Sequence, residues 1–385
     1  MKTITLSDVS VNGRGYYGIG ASAVPFSDDL YTYLRITDIN DDGTLNMVDL
    51  KSVDDEKACE YLLQPNDIVF ARTGASTGRN YFYDGSDGKF VYAGFLIKFS
   101  IDPSKINPKY VKYFCLSQQY KDWIHSFNTG STRGNINAQT LGKIPIPELE
   151  REKQDALVEI LSSIDAKIKQ NNAINKNLEQ QAQVIYQQMF IDNTSSEWEE
   201  GTLSDIADIT MGQSPSGSSY NEVGNGTIFF QGRAEFGFRF PTVRLYTTEP
   251  KRMACANDTL MSVRAPVGDL NVAHTDCCIG RGLAAIHSKD NHQSFVLYTM
   301  FSLKKQLDVF NGEGTVFGSI NRNSLNEMPI LIPSSEKLDE FETLVAPMDA
   351  AIRNNYGEIC HLEQLRDTLL PKLMSGELDI SELDL

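Results

Sequence analysis

The chain repeats itself, and the repeat limits its fold more than any other feature. Residues 134–190 match residues 318–374 at a constant offset of 184, without a gap and with about 16 identities in 57 positions. The match pairs Gly134-Asn135-Ile136-Asn137 with Gly318-Ser319-Ile320-Asn321, Leu141 with Leu325, and Pro145-Ile146 with Pro329-Ile330. It goes on to pair Glu152-Lys153 with Glu336-Lys337, Asp165-Ala166 with Asp349-Ala350, and Leu178-Glu179-Gln180 with Leu362-Glu363-Gln364. Upstream the echo is looser: Leu6-Ser7-Asp8-Val9 answers Leu203-Ser204-Asp205-Ile206, and Asn66-Asp67 answers Asn257-Asp258. Two tandem copies of one unit account for the sequence.

Each copy opens with a stretch rich in Gly, Thr, Tyr and Phe. Short apolar runs such as Asp67–Ala71 and Thr227–Phe230 read there as strands between turn signals, so each copy starts as a mixed-sheet domain. Each then passes through a proline-bounded strand, 143–147 or 327–333, into a predicted long helix, 152–190 or 336–370. In the first helix Leu157, Leu161, Ile164, Ile168, Asn171, Asn175, Leu178, Ala182, Ile185 and Met189 follow alternating steps of four and three. In the second the same steps give Phe341, Val345, Met348, Ile352, Asn355, Ile359, Leu362, Arg366, Leu369 and Leu373. Asn171 and Asn355 occupy the same seam position, so a two-fold axis relating the copies would bring them together where the two seams pack on each other. Two separate amphipathic helices, each covering its own sheet domain, would give a similar pattern. A helix of 33 residues, however, is about 50 Å long and overhangs such a domain. The organisation read from the sequence is a sheet domain over 1–147, a helix over 148–192, a second sheet domain over 193–333, and a second helix with the tail over 334–385.

Charge follows the same division. The net charge is −16, yet residues 1–147 carry 15 basic and 16 acidic side chains and residues 201–333 carry 11 and 12. The acidity lies in 148–200, with 5 basic against 11 acidic, and in 334–385, with 4 against 12. Near-neutral domains can still gather cations on one face, so the acidic average does not exclude a nucleic-acid partner. No run approaches the roughly 18 uncharged apolar residues of a membrane span, and Met1 to Thr5 lead into mixed polar sequence, so a soluble, cytoplasmic protein is expected. Cys59, Cys115, Cys255, Cys277, Cys278 and Cys360 form no C-x-x-C pair and read as reduced thiols.

Catalytic motifs fail on inspection. Gly13-Arg14-Gly15-Tyr16-Tyr17-Gly18 fits G-x-G-x-x-G, but Gly20 and Pro25 stand where the phosphate-binding helix should begin. Phe310-Asn311-Gly312-Glu313-Gly314 fits the F-x-G-x-G of adenine methyltransferases, but the chain has no Pro-Pro for the companion motif. Gly74-Ala75-Ser76-Thr77-Gly78-Arg79 is too short for a P-loop and has Arg in place of Lys. His125, His274, His287, His292 and His361 show no metal-ligand spacing. No enzymatic activity, no metal and no cofactor is expected in this chain.

Taken in order and in duplicate, several stretches resemble the specificity subunit of type I restriction-modification systems. They are Leu203-Ser204-Asp205-Ile206-Ala207-Asp208-Ile209 leading to Gly212-Gln213-Ser214-Pro215-Ser216, then Phe230-Gln231-Gly232, then Asp258-Thr259-Leu260-Met261-Ser262-Val263-Arg264, then Ile279-Gly280-Arg281-Gly282-Leu283. The helix entries, such as Ile144-Pro145-Ile146-Pro147 to Lys153, and the tail from Leu362-Glu363-Gln364-Leu365-Arg366 to Leu373-Met374-Ser375-Gly376-Glu377-Leu378 add to it. The resemblance covers nearly the whole chain. It implies an α+β fold of two mixed-sheet target recognition domains in pseudo-two-fold arrangement, joined by two long antiparallel helices that form a coiled-coil spacer. It also implies double-stranded DNA as ligand, two methyltransferase subunits that bind S-adenosylmethionine, and motor and endonuclease subunits that use ATP and Mg. A two-module protein-interaction scaffold, or an unassembled relative without a DNA target, is the alternative.

Residue types that read DNA narrow the contacts. In the first domain they are Arg72, Thr73, Arg79, Asn80, Thr132 and Arg133; in the second they are Ser214, Ser216, Ser218, Tyr220, Gln231, Arg233, Arg239, Arg244, Arg264 and Arg281. Gln231, Arg233 and Arg239 lie in the more variable surroundings and are the favoured readers. Arg72, Arg264 and Arg281 carry a competing reading, in which buried pairs use them to hold the fold.

Overall fold

The computed structural model describes residues 2–127, 135–312, 318–375 and 377. The chain is α+β and divides into two compact units. Unit 1 is Met1–Lys167 with His361–Leu385, and unit 2 is Ile168–Cys360.

In unit 1 one sheet runs in the order Tyr16–Tyr17, Leu96–Ser100, Asp67–Ala71, Asn80–Tyr83, all antiparallel. A second runs Ala23–Pro25, Lys51–Val53, Tyr31–Leu34, Phe90–Tyr92, its last pair parallel. Asp67–Ala71 has no polar face because both of its faces are packed. Ile68 and Phe70 join Tyr110, Tyr113, Leu157 and Leu161 in one core. Val69 and Ala71 turn to Tyr81, Tyr83 and Phe90 in another. Unit 2 repeats the order of both sheets: Ala207–Met211, Leu283–Ser288, Thr259–Ser262, Leu270–Val272, and then Tyr220–Asn221, Leu245–Thr247, Thr227–Phe230, Cys277–Ile279 with Met253–Ala254 added at the edge. The parallel pair recurs between Thr227–Phe230 and Cys277–Ile279. Even the backbone outliers repeat. Asn66 (φ 74°) and Asn257 (φ 76°) take the left-handed conformation that Asn tolerates, each just before the buried aspartate, Asp67 or Asp258, that opens the central strand.

The predicted helices are present as Arg151–Tyr186, which continues into a wider turn over Gln187–Asp192, and as Ser335–Ser375. The second runs straight through Pro347, an exposed position where the ring removes one N–H from the ladder on the solvent side. Both helices pass from one unit into the other, so each unit's core contains a piece of each. Unit 1 packs Leu157, Val158 and Leu161 with Leu370, Leu373 and Met374. Unit 2 packs Ala182, Tyr186 and Phe190 with Phe341, Val345 and Ile352. The predicted seam is buried at Leu157, Leu161, Ile164, Asn171, Phe341, Val345 and Ile352, and half-buried at Ile168, Leu178, Ile185, Met348, Asn355, Leu362 and Leu369. Towards residue 190 the buried stripe drifts to Tyr186 and Phe190, one position past Ile185 and Met189. There a straight helix meets sheet-domain side chains and no longer follows a 3.5-residue repeat.

Within unit 2 the helices run antiparallel, since Asn171 Nδ2 donates to Glu358 Oε2 (2.9 Å) and Asn355 Nδ2 donates to Asn175 Oδ1 (2.8 Å). Asn171 and Asn355 therefore lie about one turn apart along the pair and do not bond to each other. The repeat fixed their neighbourhood; the exact partner depends on which side chain faces each one, Glu358 or Asn175. Asn175 is 3% exposed, so Asn355→Leu should destabilise the protein by about 1–3 kcal/mol by leaving that buried amide oxygen without its donor. Asn175→Leu with Asn355→Leu should recover the loss or exceed it. Urea unfolding midpoints decide this, and a single variant as stable as the double would show that the Asn175–Asn355 bond contributes nothing.

Candidate DNA-contacting surface

In unit 1, Arg72 leaves the strand Asp67–Ala71 with its guanidinium carbon 5.1 Å from the centre of the Tyr17 ring and its Nη2 donating to Asn135 Oδ1 (3.4 Å). Among the described residues no carboxylate pairs with it, and its Nε is buried without a hydrogen-bond partner. Stacking fixes the plane of the fork, as suits an arginine that reads or clamps an acceptor. Thr73 is half-buried and bridges Asn135. Arg79 is engaged, donating from Nε and Nη2 to Asp41 (2.7 and 3.1 Å) and from Nη1 to the Ile39 carbonyl (3.2 Å). Asn80 departs from the expectation of a groove-facing reader. It is 5% exposed and donates to the Cys115 carbonyl (2.9 Å), because the strand Asn80–Tyr83 is packed on both faces. Thr132 and Arg133 lie outside the described residues.

In unit 2 the expected contacts separate into four groups. Arg239 is the clear departure from expectation: it is 4% exposed, with Nε 3.2 Å from Glu179 Oε1, Nη2 3.3 Å from Asp349 Oδ1, and Nη2 donating to Tyr298 Oη (3.0 Å). It ties the sheet domain to the helices and has no surface to offer DNA. Arg233 is paired with Asp269, and Arg244 bridges Glu222 (3.3 Å) and Glu235 (2.8 Å), so both are exposed but already neutralised. Ser216 and Ser218 bond to each other (2.8 Å), and Tyr220 donates to the Pro215 carbonyl (3.1 Å) while its ring lies 4.8 Å from Phe229.

Arg264, Arg281 and Gln231 form the fourth group. All three are exposed, and neither arginine has an ion pair or side-chain hydrogen bond among the described residues, so they are not buried struts. Their backbones meet at the turn 280–283. The Arg281 N–H donates to Ser214 Oγ (3.2 Å), and the Gly282 carbonyl accepts from the Val263 N–H beside Arg264 (2.9 Å). A Cβ on Gly280 would come within 2.9 Å of Gln231 Cα, and one on Gly282 within 2.8 Å of the Gln231 carbonyl oxygen, so only glycine lets these backbones close. The sequence reading overlooked Arg252. It is exposed, and its carbonyl accepts from the Ile279 N–H (2.9 Å) at the entry to the same turn. Nothing in its own stretch, Lys251-Arg252-Met253, marks it; the strand pairing brings it there.

Behind these surfaces the two units anchor to the helices through repeat-equivalent aspartates. Tyr113 Oη donates to Asp165 Oδ2 (2.8 Å) in unit 1 and Tyr298 Oη to Asp349 Oδ1 (3.0 Å) in unit 2. Burial pushes both carboxyls up. At Asp165 the attraction of Lys112, the Tyr113 bond and Arg366 outweigh it and leave the pKa below the usual range, whereas at Asp349 burial prevails over Arg239 and the pKa is raised. The paired identity of Asp165-Ala166 with Asp349-Ala350 was the available signal for this anchor. Among the described residues no group of three or more His, Cys, Asp or Glu could hold a metal ion, and no helix is long and apolar enough to cross a membrane.

The sequence profile of the family described as type I restriction modification DNA specificity domain matches residues 28–180 and 195–341. The provisionally named type I restriction enzyme MjaX specificity subunit of Methanocaldococcus jannaschii is 30% identical over 378 residues, covering 91% of this chain and 88% of that protein. The MjaIX specificity subunit of the same organism is 24% identical, covering 71% and 70%. A crystal structure of the type I restriction-modification S subunit from M. genitalium shares the fold, with a TM-score of 0.60, 17% identity, and 97% and 95% coverage.

Proposed function

We propose, from the premise that this chain belongs to the type I restriction-modification DNA specificity family, that it is a non-catalytic subunit whose two units each contact one half of a bipartite DNA target. The observation that carries this reading is the set of exposed arginines at the turn 280–283. In a chain of net charge −16, where Arg35, Arg79, Arg151, Arg233, Arg239, Arg244 and Arg366 are matched to carboxylates, Arg252, Arg264 and Arg281 have no carboxylate partner among the described residues. A surface guanidinium without a carboxylate partner is open to phosphate or to a guanine edge. The near-neutral domains favour DNA binding less than the acidic helices oppose it, so firm binding needs phosphate contacts from partners. The helices, with exposed Ile174, Val184, Leu344 and Leu365, are the docking face for two methyltransferase subunits. S-adenosylmethionine belongs to those subunits, and ATP and Mg to motor and endonuclease subunits that complete the assembly.

The test is the methylome of cells that express the methyltransferase subunit with and without this chain. Adenine methylation at one bipartite sequence, present only with the chain, is the expected result. Equal methylation in its absence, or none in its presence while the subunits co-purify, overturns the reading.

A further inference from the structure

A four-residue turn feeds the last strand of the Asp67–Ala71 sheet in unit 1 and of the Thr259–Ser262 sheet in unit 2. In unit 1 it is 93–96, closed by the Leu96 N–H donating to the Ala93 carbonyl (2.8 Å); in unit 2 it is 280–283, closed by the Leu283 N–H donating to the Gly280 carbonyl (2.9 Å). The third residue of each turn accepts from the end of the neighbouring strand, Phe95 from Arg72 (3.1 Å) and Gly282 from Val263 (2.9 Å). The two turns are thus equivalent in the fold, and they differ in what they present. Unit 1 shows a phenyl ring, Phe95, 60% exposed; unit 2 shows the guanidinium of Arg281.

We infer that both units grip DNA through this turn but with opposite chemistry, Arg281 on a backbone phosphate and Phe95 on the methyl edge of a thymine. The inference rests on the DNA-reading role proposed above. At the unit 2 turn the backbone is held by Ser214 and Gln231, and the neighbours Arg252 and Arg264, whose backbones adjoin it, have no carboxylate partner among the described residues. Phosphate is the fully charged group of a duplex, and it answers such a concentration of cations; a base edge has no net charge and would leave them repelling one another. The unit 1 turn, Ala93-Gly94-Phe95-Leu96, has no charged side chain of its own, and Arg72, whose N–H donates to it, is held against the Tyr17 ring. A phenyl ring offers a phosphate nothing, and leaving it 60% exposed forgoes apolar burial that a partner can restore. In the major groove the apolar group that distinguishes one base pair from another is the thymine methyl.

The experiment uses the chain assembled with its methyltransferase subunit, read by the salt dependence of binding to the methylated sequence and by the methylome. Arg281→Ala should weaken binding about equally to all sequences and lower the slope of log affinity against log salt by about 1, with both half-sites unchanged. Arg281→Lys should restore the slope. Phe95→Ala should leave the slope unaltered and relax one thymine position in a single half-site, by roughly 5- to 100-fold in discrimination, and Phe95→Leu should restore part of it. Altered sequence preference in Arg281→Ala, an unaltered slope in that variant, or a methylome untouched by Phe95→Ala would each overturn the inference. So would loss of the methyltransferase subunit from Phe95→Ala, since the ring would then be a subunit contact. A wild-type assembly that methylates no bipartite sequence would instead defeat the functional reading itself, which separates the two failures.

Discussion

One heptad inserted into each long helix, between Ala173 and Ile174 in the first and between Tyr356 and Gly357 in the second, is expected, on the bipartite reading proposed above, to lengthen the gap between the two half-sites by one to three base pairs. These positions face each other. They fall between the Asn171–Glu358 and Asn175–Asn355 hydrogen bonds, so both bonds survive and simply move apart. Seven helical residues add about 10 Å, and at 3.4 Å per base pair length alone asks for three pairs. Twist opposes length. Each added pair turns the duplex by about 35°, while a heptad leaves the helix pair nearly in phase, so the observed increment is the compromise. Methylome sequencing of the variant gives the spacer directly. An unchanged spacer at normal efficiency would mean that the helices hold partners and do not measure DNA.

The second large effect is expected at Arg239. Arg239→Ala leaves Glu179 and Asp349 buried without their cation, which should cost about 3–5 kcal/mol. For a cooperative unit of this size that is a fall in Tm of about 6–20 °C. Arg239→Met combined with Asp349→Asn should lose much less, because the charge and its counter-charge leave together. Acidity offers an independent check. Burial already raises the pKa of Glu179 and Asp349 in the folded protein, and losing Arg239 raises both further. A carboxyl whose folded pKa lies above its unfolded value destabilises the fold at neutral pH, and the penalty fades as pH falls through the folded pKa. The Arg239→Ala variant should therefore recover stability relative to wild type as the pH falls from neutral toward the ordinary carboxylate range. Calorimetric scans across that range decide it; a constant deficit would mean the carboxylates are not what the arginine restrains.

Period and repeat were legible from the residues because they are one-dimensional. Leu157, Leu161, Phe341 and Val345 are buried where the heptad steps put them, and the mixed sheets with their buried central strands lie where the turn signals bounded them. Facing was not legible. Arg239 and Arg244 sit five residues apart in the same loop with the same chemistry, yet one is enclosed by Tyr298 and two helices and the other is in solvent, a difference set by residues 60 and 110 positions away. Asn80 followed a turn-rich stretch that suggested a loop, but strand pairing with Phe70 carried it inside. Arg252 reached the candidate surface through pairing of its strand with Cys277–Ile279, which its own neighbours do not encode. Single-sequence reading thus finds which stretches pack and misses which member of a polar pair is turned inward.

The way the units share the helices also bears on synthesis. Unit 2 is one continuous stretch, Ile168–Cys360, whereas unit 1 needs both Met1–Lys167 and His361–Leu385. On the ribosome the part of the molecule that emerges first is therefore the one that is completed last. The part of the core around Leu157 and Leu161 that Leu370, Leu373 and Met374 complete stays open on the nascent chain until those residues arrive. At ordinary translation rates that wait is about 10–40 s. A nascent chain stalled after residue 360 would carry a finished second unit and an unfinished first one, reversing the usual rule that the N-terminal domain folds first.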